Sequence, residues 1–164
     1  MRLTALTATL ASASLSSAFI TGFSAPAYLA AGQPFSFNLT TESSKAGSND
    51  VAVAWGFYQP TLKMAAGYLN SVGDYSQSAY LGPSKSNVND DIVIEGTVPE
   101  ELGSEQYFGK EIVMKVAVTS ISNTWGFVAT QGWNATLRVE RMNGVIYVKS
   151  GERGWAENGN CESI

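Results

Sequence analysis

Apolar and polar residues alternate with a period of two along most of the chain beyond residue 18. Phe35, Phe37 and Leu39 alternate with Ser36, Asn38 and Thr40, and Val51, Val53, Trp55 and Phe57 with Ala52, Ala54, Gly56 and Tyr58. Ile92 and Ile94 oppose Val93, Glu95 and Thr97; Ile112, Met114, Val116 and Val118 oppose Lys115 and Thr119; Trp133, Ala135, Leu137 and Val139 oppose Asn134, Thr136, Arg138 and Glu140. Successive side chains of a strand point to opposite faces, so each run predicts a strand with one buried and one outward face. With further strands around Phe19–Ser24 and Ser76–Leu81, about seven short strands result, and the fold predicted is an all-β, immunoglobulin-like antiparallel β-sandwich. Trp55, among the small residues Ala52, Ala54 and Gly56, is the expected core anchor. Asn143-Gly144 favours a type I′ turn, which predicts that Val145 to Lys149 fold back as a C-terminal hairpin strand. The Gly-, Glu- and Asn-rich segment 150–164 is expected to fray.

The first 18 residues break this pattern. Arg2 precedes a mildly apolar run from Leu3 to Leu15, and Ser16-Ser17-Ala18 places small residues before Phe19. This is the layout of a secretory signal peptide cut ahead of Phe19, leaving a sandwich over 19–149 and a flexible tail over 150–164. No later stretch is apolar enough to span a bilayer as a helix. Asn38-Leu39-Thr40 and Asn134-Ala135-Thr136 are N-glycosylation triplets. Both asparagines fall on the polar parity of their strands, the face to which a glycan can be attached.

Composition then narrows the chemistry. The chain has no histidine, one cysteine and a formal net charge of −4. Ser–His–Asp and Cys–His machinery, His-ligated zinc and an imidazole switch are therefore excluded, as is an intrachain disulfide. The acidic balance without a Lys/Arg cluster argues against nucleic acid as partner. Gly-rich phosphate loops and other cofactor fingerprints are missing, and no cofactor is expected. Glu100-Glu101 follow Pro99 in a surface turn, and Asp90-Asp91 would point to opposite faces of a strand, so neither pair suits glycoside hydrolysis. Asn87 to Asp91 opens like a calcium loop, but Ile92 and Val98 stand where such a loop needs Gly and Glu. Cys161 lies in the tail, as a free thiol or one that joins two chains.

Function is then expected in the connections, taken as 42–50, 59–77, 82–90, 99–110 and 122–132. Trp125 and Phe127, in the last of these, are candidate recognition aromatics. Three stretches carry a family likeness: Val51-Ala52-Val53-Ala54-Trp55-Gly56, Tyr80-Leu81-Gly82-Pro83-Ser84-Lys85-Ser86-Asn87, and the Ile112–Ser120 strand after the Val98-Pro99 turn. Together they resemble the necrosis-inducing secreted protein family of fungal effectors over Phe19 to Val139. The resemblance implies a non-enzymatic virulence protein that binds receptor-associated and cytoplasmic immune kinases of a host plant, suppresses pattern-triggered immunity and can elicit cell death. It also implies action outside the fungus, extending to the host cytoplasm. Tyr80, Lys85, Asn87, Trp125 and Phe127 are the candidate contacts. For the Gly82–Asn87 run, a turn fixed by Gly-Pro and an exposed contact at Lys85 are both open readings. The alternative to the effector is a secreted carbohydrate- or cell-wall-binding sandwich, motivated by the aromatic content.

Overall fold

The computed structural model describes residues 17–44, 48–60, 70–122, 126–152 and 154–158. The alternation becomes burial: Phe35, Phe37 and Leu39 are at most 6% exposed, as are Val53, Trp55 and Phe57, while their strand neighbours Ser36, Asn38 and Thr40 are half-buried. The chain runs as β1 (Ser17–Pro26), β2 (Tyr28–Leu29), β3 (Pro34–Ser44), β4 (Ser48–Tyr58), β5 (Asp74–Tyr80), the short helix α1 (Gly82–Lys85) and β6 (Ile92–Thr97). A 3-10 turn (Glu100–Gly103), β7 (Glu111–Ser122), β8 (Val128–Val139), β9 (Tyr147–Lys149) and β10 (Trp155–Asn158) follow.

One sheet has the order β6-β3-β1-β9 and the other β10-β8-β7-β4-β5, with β2 paired in parallel to the end of β8. Counting only the seven long strands, the first, second and fifth form one sheet, and the third, fourth, sixth and seventh the other. That is the Greek-key partition of an immunoglobulin-like sandwich. Between the sheets, Phe37 meets Trp55 edge-on at 5.2 Å, and Phe35 links Phe37 and Phe57 at 6.0 Å each. Such pairs add about 0.5–1.5 kcal/mol each beyond the area they bury.

Gly96 makes room for this cluster. A Cβ there would lie 3.0 Å from Trp55 Cζ2 and from Phe35 Cε1. Gly96→Ala is therefore expected to cost about 1–3 kcal/mol through overpacking, measurable as a lowered urea midpoint with an unchanged slope.

The ladders carry three register shifts among the described residues, one between Trp55 and Phe57 where β4 pairs with β5, and two others that change which residues face inward. The β1–β3 register slips between Ile20 and Gly22, so Ala18 and Ile20 on one side of the slip, and Phe23 and Ala25 on the other, all face inward. The β4–β7 register slips between Asp50 and Ala52, and Asp50, expected to end a loop, is only 4% exposed. An extra residue in one strand reverses its parity from that point on.

Lys115 also departs from expectation. Its parity is outward, yet it is 5% exposed, and burial lowers its ammonium pKa. Beside it in β4 stands Gly56, and the segment around Val72 crosses the outer face there: a Cβ on Gly56 would lie 2.7 Å from the Val72 carbonyl oxygen.

The C-terminal hairpin does not form as expected. The additional strand, β9, pairs with β1 in the opposite sheet instead of folding back on β8. Near its end β8 already has β7 on one edge (Arg138 opposite Glu111) and β2 on the other (Arg138 opposite Tyr28), leaving no edge to fold back on. The segment expected to be a tail supplies β10, which pairs with β8 from Ala129 to Gly132. The 122–132 connection is shorter than expected, because Val128 to Gly132 already belong to β8 opposite Ile121 to Ala117.

Candidate functional site

Most of the candidate contacts gather at one end of the sandwich. Tyr80 closes β5, outward and 72% exposed, opposite Ala52 of β4, and Leu81 turns in to the core at 1% exposure. Gly82 then adopts φ +55°, and a Cβ on it would lie 2.7 Å from Tyr80 Cε1, so the tyrosine ring rests against the glycine. Only glycine accommodates both demands. Pro83 stands in the first turn of α1, and Lys85 Nζ donates to the Val93 carbonyl oxygen at 3.4 Å.

Asn87, at φ +57°, donates through its amide to Asn49 Oδ1. Asn89 Oδ1 accepts from Ser43 Oγ at 3.2 Å, and Asp91 Oδ1 from Thr41 N–H at 3.4 Å. The three side chains that looked like the start of a calcium loop thus tie the loop to the ends of β3 and β4. These are the local bonds that Asn and Asp supply in turns.

Asn49 in turn pairs with Ile121 of β7, and the neighbouring Ser122 N–H donates to the Phe127 carbonyl oxygen at 2.9 Å. The Tyr80–Asn87 segment and the β7–β8 hairpin are therefore joined through Asn49. Phe127 is 56% exposed, with Val128 at 47% and Ile121 at 38% beside it. Tyr80 shares a row with Ala52, Thr119 and Thr130, so three strand spacings, about 14 Å, separate β5 from β8 on this face. Trp125 and Cys161 lie outside the described residues. Asn38 and Asn134 stand half-buried on the outer faces of their sheets.

Asp50, missed in the alternation, underlies this end. Its carboxylate accepts from Ser120 Oγ at 2.6 Å and from Ile20 N–H at 3.3 Å. Burial raises its pKa above the ordinary 3.8, against the two hydrogen bonds, which lower it. The signal for it was weak, since an acid before an apolar run also reads as a solvated turn.

The model of the Nis1 family matches residues 16–138 of this chain. The chain belongs to the Nis1 family. Among its relatives, Necrosis-inducing secreted protein 1 of Colletotrichum orbiculare is 29% identical over 148 residues, which are 90% of this chain and 86% of the relative. The protein of the same name from Colletotrichum higginsianum is 28% identical over 136 residues, 83% of this chain and 88% of that one. Like these relatives, the Nis1-family chain is secreted and extracellular. The family match takes in β1 to the last residues of β8, including Trp55, Gly82 and Phe127, and stops before the segment that leads to β9.

Proposed function

We propose that this Nis1-family protein is a necrosis-inducing effector that acts by binding and not by catalysis, and that its partners are receptor-associated and cytoplasmic immune kinases of a host plant. The observation that carries the reading is the match to necrosis-inducing secreted proteins across the residues that build both sheets. Binding through the β7–β8 end is favoured by its make-up. Tyr80 and Phe127 are large, exposed and held on a closely bonded frame, the arrangement in which aromatics act as binding hot spots at low entropic cost. Suppression of pattern-triggered immunity would follow from occupying the kinase.

Expression of the secreted chain in leaf tissue, with the pattern-induced oxidative burst measured and kinases recovered by pull-down, tests this reading. A reduced burst with kinase recovered supports it. An unaltered burst, no kinase and retention on chitin or glucan would favour the cell-wall-binding module. The double variant Tyr80→Ala, Phe127→Ala is expected to weaken kinase recovery by about 30-fold, as loss of a hot spot of about 2 kcal/mol would. Its thermal midpoint should barely move, because exposed substitutions usually stay within about 0.5 kcal/mol.

A further inference from the structure

The opposite end of the sandwich carries a second apolar surface that folding does not explain. Between β8 and β9, Met142, Val145 and Ile146 are 78%, 94% and 66% exposed, with Phe108 at 42% nearby. They border a cleft of about 640 Å³ whose wall also includes Tyr28, Arg138 and Arg141. Adjacent exposed apolar side chains on a soluble domain mark a contact surface more often than chance placement does.

The segment bearing them is firmly anchored. Asn143 accepts from Ala30 N–H through Oδ1 at 2.7 Å, and its amide donates to the Pro34 carbonyl oxygen at 2.7 Å. Gly144 N–H donates to the Tyr28 carbonyl oxygen, and Ala27 N–H to that of Ile146, both at 2.8 Å. Each apolar side chain thus projects from a fixed backbone, and little conformational freedom is left to lose on binding.

Charge identifies the occupant. Although the chain is acidic overall, Lys110, Arg138 and Arg141 are all exposed at this end, where the neighbouring carboxylates are those of Glu111, opposite Arg138, and Glu140 in the cleft wall. Arg138 is engaged with Glu140 at 3.2 Å. Arg141 lies over the Phe108 ring at 5.8 Å and forms no salt bridge with a carboxylate among the described residues. A guanidinium beside exposed apolar side chains matches a partner carrying apolar anchors flanked by carboxylates. The concave wall and fixed backbone favour a polypeptide over a lipid surface, which binds apolar side chains without needing a cleft.

We infer that the Met142–Ile146 face docks an acidic, apolar segment of a partner protein, with Arg141 receiving a carboxylate. The inference rests on reading the chain as a protein-binding module, and it adds a second face to the Tyr80–Phe127 end. The test is a titration of the secreted chain, followed by methyl and amide NMR, with two soluble synthetic peptides that carry leucines among glutamates or among lysines. The glutamate peptide is expected to shift Met142, Val145 and Ile146 and to bind about tenfold more tightly than the lysine peptide, with Arg141→Glu reversing that preference. Val145→Ser with Ile146→Ser should remove binding without lowering the thermal midpoint. Equal affinity for both peptides, or shifts confined to another face, overturns the inference. So does occupation of this face by phosphatidylserine vesicles or by a second copy of the chain in place of the peptide. Because no kinase enters this titration, a failed kinase pull-down with a bound peptide refutes only the kinase reading. A successful pull-down with no peptide response refutes only this docking face.

Discussion

Trp55→Ala is expected to lower stability by about 3–5 kcal/mol, the usual cost of removing a buried large aromatic, and to shift the urea midpoint accordingly. The indole is 2% exposed and bridges the sheets, facing Phe37 at 5.2 Å across the core. Its neighbours cannot close the gap, because Phe35, Phe37 and Phe57 are held in two different sheets. Trp55→Phe should cost distinctly less than the alanine variant, for two reasons. The phenyl ring keeps most of the contact, and the Trp55 Nε1–H is buried with no acceptor among the described residues, so its removal relieves a group that costs about 1–3 kcal/mol to bury unpaired. If the two variants proved equally unstable, the orphaned N–H would have no energetic weight.

The second large effect concerns Asp50 and has a defined sign. Burial holds its carboxyl above the ordinary 3.8 in the folded protein, so the unfolded chain gives up this proton more readily than the native one. The group's contribution to stability is therefore most favourable below pH 3.8, falls as pH rises from there to the folded value, and is constant above it. Asp50→Asn should abolish that fall, because the amide can serve Ser120 and Ile20 without ionising. Relative to wild type, it should gain stability at neutral pH over its value in acid. Asp50→Ala has the opposite outcome. It strands the buried Ile20 N–H, and Ser120 Oγ unless that hydroxyl rotates to another acceptor, at about 1–3 kcal/mol for each donor left unpaired. Urea midpoints across the acid range for the three proteins separate these cases. An asparagine variant with the wild-type slope would remove Asp50 from the titration.

The contrast between Trp55 and Asp50 also marks how far the letters carry. Wherever a strand keeps period two, its inward residues are legible: Phe35 to Leu39, Val53 to Phe57, and Ile112 to Val118 all stand in the core. The bulges in β1 and at the start of β4 are not legible, because a single extra residue leaves composition unchanged while reversing parity. That is how Ile20 and Phe23, three apart, share a face, and how an aspartate becomes buried. Lys115 was misplaced for another reason, since its cover comes from a segment distant in sequence. At the candidate end, Tyr80 and Phe127 are exposed, which their letters did not decide, since such aromatics also cap cores, and Asn87 uses its amide on Asn49. The Met142–Ile146 face was hidden behind a strong local signal. Asn143-Gly144 reads as a hairpin turn, and only the parallel pairing of β2 with β8 shows why the chain crosses to the other sheet.

The Ile20–Asp50 hydrogen bond has a consequence for how these molecules behave when crowded. β9 pairs with β1 from Ser24 to Pro26 and Ser150 bonds the N–H and carbonyl of Phe23, and ahead of Phe23 that margin of β1 has no strand partner among the described residues. Unpaired backbone along a sheet margin templates the addition of a strand from another molecule, and natural sheets block it with charge and irregularity. Here the bulge before Gly22 twists the strand, and a carboxylate from the opposite sheet already occupies the Ile20 N–H. The buried acid thus occupies the place that the carbonyl of a further strand would take at Ile20, and Asp50→Ala vacates it.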